Sequence, residues 1–128
     1  MIYVDTSVVL AHLLAEDRGP SDAFWGETLV TSRLTEYETW VRLHARRLAA
    51  SHGNTAREVL GHLAVVELSP TVLERALDPF PVAVRALDAL HLATLSYLAA
   101  QRQRPALATY DPRMADAATR LGFPLHPL

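Results

Sequence analysis

The chain opens Met1-Ile2-Tyr3-Val4-Asp5-Thr6-Ser7-Val8-Val9-Leu10-Ala11-His12-Leu13-Leu14. Ile2-Tyr3-Val4 is a short β-rich run, read as a first strand buried between layers. Ser7 to Leu14 has helical spacing, and Asp5, Thr6 and Ser7 can all cap its start. A carboxylate therefore stands between the first strand and the first helix. The pattern returns near the other end, where Ala106-Leu107-Ala108-Thr109 reads as a strand and Asp111-Pro112 opens a helix that runs to Leu121 and is closed by Gly122.

Between these ends the pattern alternates. Gly19-Pro20 breaks the chain, Ser21-Asp22 can cap a short helix through Trp25, and Leu29-Val30-Thr31 is a second strand. A long helix is expected from Thr35 to about Ser51, with Leu34, Tyr37, Val41, Ala45 and Leu48 as its apolar stripe and Gly53-Asn54 as its stop. Thr55 to Leu63 reads as another helix and Val65 to Leu68 as a third strand. Ser69-Pro70 starts a helix with a cap and a first-turn proline. Pro79 and Pro81 separate it from a helix expected over roughly Val82 to Arg102, and Leu125-His126 reads as a last short strand. Short apolar strands alternating with helices predict an α/β fold, a short, mainly parallel sheet covered on both faces. Nothing divides the chain, so residues 1–128 read as one domain.

Composition closes several classes. There is no cysteine, which excludes a disulfide framework, a thiolate metal site and a cysteine nucleophile, and fits a cytoplasmic setting. All 12 basic residues are arginines, so a P-loop and the lysine-based enzymes are excluded. The first residues do not read as a signal peptide, and no apolar run is long enough to span a membrane. A net charge of −2 does not describe a generic polyanion binder.

The acids carry the chemistry. Asp5 and Asp111 each follow a strand, and in an open α/β sheet ligands bind beyond the carboxyl ends of strands where strand order reverses. If the first and last strands are neighbours, the two carboxylates share a cleft; each reads equally as a helix N-cap. Asp88 lies in Ala86-Leu87-Asp88-Ala89-Leu90-His91-Leu92-Ala93, apolar on nearly every helical face. There it either sits at an opening in the packing or is buried, and burial requires an arginine or a metal. His91, one turn on, reads as a hydrogen-bonded structural histidine. Glu36 and Glu38 project about 200° apart on their helix, so only one of them can face a shared cleft, and nothing local chooses between them. Clustered carboxylates repel, and a hard divalent cation such as Mg2+ or Mn2+ resolves the repulsion.

Val4-Asp5-Thr6-Ser7, Ser32-Arg33-Leu34-Thr35-Glu36-Tyr37-Glu38, Leu87-Asp88-Ala89-Leu90-His91-Leu92-Ala93 and Thr109-Tyr110-Asp111 together resemble the PIN-domain family in order and spacing. The stand-alone size is similar to VapC-type toxins. The resemblance implies a three-layer α/β/α domain and selects Glu38 over Glu36. It implies that Asp5, Glu38, Asp88 and Asp111 hold Mg2+ or Mn2+, with Ser7 and Thr109 as supporting hydroxyls. Asp116 matches a helix where some members carry an extra acid, although solvated surface is its first reading. The implied activity is endonucleolytic RNA cleavage leaving a 5′-phosphate and a 3′-hydroxyl. Arg33, Arg42, Arg46 and Arg113 are candidates for phosphate contact, with Arg47, Arg102 and Arg104 behind them. The resemblance further implies a homodimer and a small VapB-like antitoxin whose tail lies in an apolar groove, for which Phe24, Trp25 and Trp40 are the aromatic candidates.

Two other readings compete. A haloacid-dehalogenase-type phosphatase also has an aspartate after its first strand, but it needs a second aspartate where Ser7 stands and a lysine that this chain lacks. A PIN-fold protein that binds RNA without cutting it, or a nuclease with no antitoxin, shares the fold; the first of these generally loses an acid, and this chain retains all four.

Overall fold

The computed structural model describes residues 1–128. Its elements run β1 (Ile2–Val4), α1 (Thr6–Leu13), a 3-10 turn (Asp22–Gly26), β2 (Leu29–Ser32), α2 (Arg33–Ala45), α3 (Ala49–Gly61), β3 (Ala64–Val66), α4 (Pro70–Leu77), α5 (Ala86–Ala100), β4 (Ala106–Ala108) and α6 (Pro112–Arg120). The sheet order is β3-β2-β1-β4, and all three pairings are parallel.

Each strand splits its side chains between two cores because the strand period is two. Ile2, Val4, Leu29 and Ala108 point to one face, where Val8 and Val9 of α1, Leu43 of α2 and Val59 of α3 cover them. Tyr3, Val30 and Leu107 point to the other, beneath Leu92 and Leu95 of α5 and Met114 of α6. The result is the expected three-layer α/β/α arrangement, with a sheet that is wholly rather than mainly parallel. No helix is long and apolar enough to cross a membrane.

The expected neighbourhood of the first and last strands is present. Ile2, Tyr3 and Val4 pair with Ala106, Leu107 and Ala108, and the Asp5 amide donates to the Ala108 carbonyl at 3.0 Å. From β1 the chain builds outwards to β2 and β3, then returns on the other side as β4, so strand order reverses between β1 and β4.

Four boundaries differ from the sequence expectation. The long helix from Thr35 to Ser51 is two helices, α2 and α3. Arg47 takes a left-handed conformation (φ 56°), the Leu48 amide donates to Leu43 O and the Arg47 amide to His44 O. That is a Schellman stop whose left-handed residue is an arginine. Gly53 lies inside α3, and its missing side chain makes room for Trp40: a Cβ there would stand 3.2 Å from the indole Cη2. The buried face of α2 is Leu34, Thr35, Thr39 and Leu43, whereas Tyr37 and Val41 of the expected stripe are 61% and 48% exposed.

Likewise α5 begins at Ala86 rather than Val82. Val82 and Val84 are half-buried against the second core while Ala83 and Arg85 are exposed, an alternation that is not helical and leaves Arg85 facing outwards. The third strand covers Ala64–Val66 rather than Val65–Leu68, and the last expected strand is a single bridge between Leu107 and Leu125.

Candidate active site

At the carboxyl ends of β1 and β4 lies a cleft of about 390 Å³ lined by Asp5, Glu38, Asp88 and Asp111, with Ser7, Arg42, Arg85 and His91 beside them. The four acids come from four places in the chain: the end of β1, the first half of α2, the first turn of α5 and the start of α6. Parallel topology carries the first and last of them to the same end of the sheet.

Asp5 occupies the N-cap position of α1, yet its side chain makes no capping bond. Its Oδ2 instead accepts from the Ser7 hydroxyl at 2.7 Å and the Thr109 hydroxyl at 2.8 Å. Those hydroxyls are themselves fixed, because the Tyr110 amide donates to Ser7 Oγ and the Asp111 amide to Thr109 Oγ1, each at 3.0 Å. Ser7 and Thr109, singled out in the sequence as neighbours of the strand-end acids, thus hold one oxygen of a buried carboxylate and leave Oδ1 facing His91 Nε2 at 3.8 Å. Asp111 does cap its helix: Oδ1 accepts from the Arg113 amide at 2.9 Å.

Glu38, and not Glu36, faces the cleft. Its Oε1 accepts from the Thr6 hydroxyl at 2.7 Å and pairs with His91 Nε2 at 2.6 Å, so Oε2 is left without a protein hydrogen bond. His91 is buried and its other nitrogen, Nδ1, shares a 2.7 Å hydrogen bond with the Tyr3 hydroxyl, which is also buried. Burial opposes a charge on His91. The hydrogen bond to Glu38 and the nearby carboxylates of Asp5, Glu38 and Asp88 outweigh it and hold the imidazole pKa above its ordinary value. Burial pushes Glu38 up, and the His91 and Thr6 hydrogen bonds more than reverse this, leaving the carboxyl below its ordinary value. Burial raises the Tyr3 phenol well above its usual range, and Asp5 adds to the effect. His91 is hydrogen-bonded as expected, with the added feature that its partner is one of the cleft acids.

Asp88 sits at an opening in the packing, its side chain 19% exposed, and it has the arginine partner that the sequence left open. Arg85 Nε donates to Asp88 Oδ2 at 3.1 Å, and Nη2 of the same guanidinium to Asp111 Oδ2 at 3.3 Å. No three of the acids converge at metal-coordinating distances in this arrangement, since one guanidinium stands between two of them. The donor set nonetheless fits a hard cation: four carboxylates, no sulfur, and unengaged oxygens on Glu38 and Asp88.

The arginines divide. Arg42 lines the cleft, and Arg113 lines the adjoining hollow with Arg85 and Asp88. Arg33 is committed elsewhere, to Glu36 at 2.6 Å and to Glu67. Arg46 is exposed at the end of α2, outside the cleft lining. Arg47 and Arg102 supply the left-handed turns that end α2 and α5, and Arg104 donates to the Gly122 carbonyl at 3.1 Å. Asp116 is exposed and paired with Arg120 at 3.2 Å, so it does not join the four acids. The aromatic groove expected from Phe24, Trp25 and Trp40 is not beside the cleft. Phe24 is core, Trp25 packs on Phe24 and His12, and Trp40 packs across Gly53 under Arg57. The apolar lining of the cleft is Leu10, Tyr37, Val41 and Leu87. Sequence reasoning missed Arg85 altogether, because it placed that residue inside a helix.

The family profile described as PIN domain matches residues 2–120. Ribonuclease VapC47 of Mycobacterium tuberculosis is 32% identical over 130 residues, covering 96% of this chain and 93% of the relative. Ribonuclease VapC46 of the same species is 35% identical over 126 residues, covering 95% and 93%. Among solved structures, M. tuberculosis VapC20, a sarcin–ricin loop cleaving toxin, superposes with a TM-score of 0.66 at 20% identity, covering 91% of this chain and 95% of that one. PAE2754 from Pyrobaculum aerophilum gives 0.62 at 23% identity, with coverages of 91% and 78%. At such identities the structural likeness speaks to the fold.

Proposed function

This chain belongs to the PIN-domain family, and from that premise we propose that it is a metal-dependent endoribonuclease acting as the toxin of a VapBC-like toxin–antitoxin pair, with residues 1–128 as one nuclease unit. The observation that carries the reading is the meeting of Asp5, Glu38, Asp88 and Asp111 in one cleft, Asp5 and Glu38 each oriented by hydrogen-bonded side chains. The ribonuclease names of the VapC relatives support the substrate class.

In this reading the four carboxylates hold Mg2+ or Mn2+. When bound, the cation supplies Lewis-acid polarisation of the phosphodiester and acidifies the attacking water. The chain's own residues set the frame. Ser7 and Thr109 fix Asp5, Thr6 and His91 fix Glu38, and the Tyr3–His91 bond keeps the imidazole aimed at the carboxylate, as outer partners do around metal ligands. Arg42, on the rim, offers a phosphate contact, with Arg113 nearby. Arg46, further from the acids, is left as a distal contact with a longer RNA, and Arg33 could join it only by giving up Glu36 and Glu67.

The antitoxin is the finer part of the proposal. The lining of Leu10, Tyr37, Val41 and Leu87 offers an apolar track into the acids, suited to a tail that ends in a basic side chain. Exposed Leu73 and Leu77 on α4 support the homodimer.

The test is cleavage of a total-RNA mixture by purified protein with Mg2+, Mn2+ or chelator, beside Asp88→Asn. Cutting that needs metal and the wild-type aspartate is the expected result; equal behaviour of the two proteins with metal present sinks the nuclease reading. Antitoxin pairing is tested by co-expression with the product of a short reading frame adjoining the gene, where a stable complex that suppresses cleavage is expected.

A further inference from the structure

Arg85 is badly placed for a structural residue. It is the N-cap of α5 and makes no side-chain capping bond, where serine, threonine, aspartate or asparagine would stabilise the helix. Its positive charge also sits at the positive end of the helix dipole. Its side chain is 62% exposed. What holds it is the pair of cleft acids, and it holds them loosely: 3.1 Å to Asp88 and 3.3 Å to Asp111, against about 2.7–2.9 Å for a tight charge-assisted bond. A residue ill-suited to its helix end and held there only by two cleft acids is a pointer to function.

Its position is also incompatible with a shared cation. Asp88 and Asp111 both turn an Oδ2 to the one guanidinium. A divalent ion that draws on both acids competes with Arg85 for those oxygens and repels its charge. The side chain, anchored at the mouth of the cleft by a backbone that packs through Val82 and Val84, then points at solvent beside the acids. A planar fork of donors at that spot matches a phosphate.

We propose that Arg85 has two partners in turn: Asp88 and Asp111 in the metal-free protein, and a backbone phosphate of single-stranded RNA once metal has taken those acids. This rests on the nuclease reading above and adds a substrate-contact residue to it. Arg33 does not compete for the role, being tied to Glu36 and Glu67. The consequence is an exchange of one cation for another: Arg85 offsets part of the cleft's negative charge without metal, and loading metal also readies the RNA grip.

The two halves of the assignment move in opposite directions, which makes them separable from a structural defect. Wild type, Arg85→Ala and Arg85→Lys are compared in two measurements, after circular dichroism melts that show each is folded. Calorimetric titration with Mn2+ alone reads the competition. Arg85→Ala is expected to bind Mn2+ roughly two- to thirtyfold tighter, the range set by two weak ion pairs. Cleavage of an unstructured oligoribonucleotide at saturating Mn2+ reads the grip. There kcat/KM falls roughly tenfold, and the slope of its logarithm against log salt shrinks by about 0.7, one single-strand phosphate contact. Arg85→Lys keeps part of that slope. Mn2+ affinity that is unchanged or weaker in Arg85→Ala overturns the assignment, and so does tighter Mn2+ with an unchanged salt slope. A wild type that neither binds Mn2+ nor cuts removes the nuclease reading and this inference with it; failure of the inference alone leaves the wild type binding and cutting normally.

Discussion

Helix α2 lies between two hollows, and its neighbouring glutamates divide between them. Glu36 lines a groove of about 580 Å³ with Thr31, Trp40 and Arg57, while Glu38 lines the smaller acidic cleft. In the groove the one acid is answered at the surface: Arg33 takes Glu36 and Glu67, while Arg57 donates to the neutral Asn54 and stacks on Trp40. In the cleft four acids face one bridging arginine, and Glu38 is held by a buried histidine and threonine. Volume favours the groove; unspent negative charge in a fixed geometry favours the cleft. The difference teaches that a chemical site is marked by charge which the fold has oriented and left uncancelled.

Removing each glutamate's partner breaks the comparison most sharply. His91→Ala removes the hydrogen-bond partner of the Tyr3 hydroxyl and leaves Glu38 with Thr6 alone, in a largely buried setting. We expect a loss of about 3 kcal/mol, the lower end for a broken buried pair because Glu38 keeps some solvent, read by urea denaturation in chelator. Arg33→Ala, on the exposed side, leaves the urea midpoint where it was. Next comes the exchange of the acids themselves. Glu38→Gln cuts RNA cleavage by about 100-fold or more, at least the upper cost of losing a partner of a metal ligand, whereas Glu36→Gln stays within about twofold. Equal losses would mean that the groove takes part in the chemistry.

Metal sharpens the contrast in a readout independent of turnover. Mn2+ at 100 times its Kd stabilises the protein by about 2.7 kcal/mol, seen as a rise in Tm. Glu36→Gln keeps the rise and Glu38→Gln loses most of it. The smallest effect belongs to Tyr3→Phe, which removes one hydroxyl from His91 Nδ1. About 1 kcal/mol of stability and roughly tenfold in cleavage rate should go, without change in the Mn2+ requirement. A full-sized loss of cleavage with unchanged stability would instead make Tyr3 a participant.

Much of this was legible in the sequence, and the limits have physical causes. Asp5 and Asp111 are readable because a strand end followed by a helix is a local pattern, and the rule about carboxyl ends of strands needs only their adjacency. Asp88 stands out because its surroundings are apolar. Glu38 could not be separated from Glu36 by local reasoning, since the choice is made by Thr6 and His91, distant in sequence; family resemblance supplied it. The break between α2 and α3 was invisible because a left-handed helix end is sought at glycine, and here Arg47 takes it while Gly53 serves Trp40. That error also misplaced Tyr37 and Val41 in the core. Arg85 was hidden by reading Val82 and Val84 as helical, when their burial alternates with the exposure of Ala83 and Arg85, which is not a helical pattern.

The pairing of β1 with β4 has a consequence in time. Residues 2–4 meet residues 106–108, nearly the longest separation in sequence that this chain allows, and parallel contacts of such range close late because loop entropy has to be overcome first. During synthesis the amino-terminal part emerges long before its partner strand exists. Asp5 therefore lacks Thr109, and the cleft lacks Asp111, until the last stretch of the polypeptide has arrived. A chain stalled before residue 106 carries three of the four acids and lacks the strand that brings Asp111 to them.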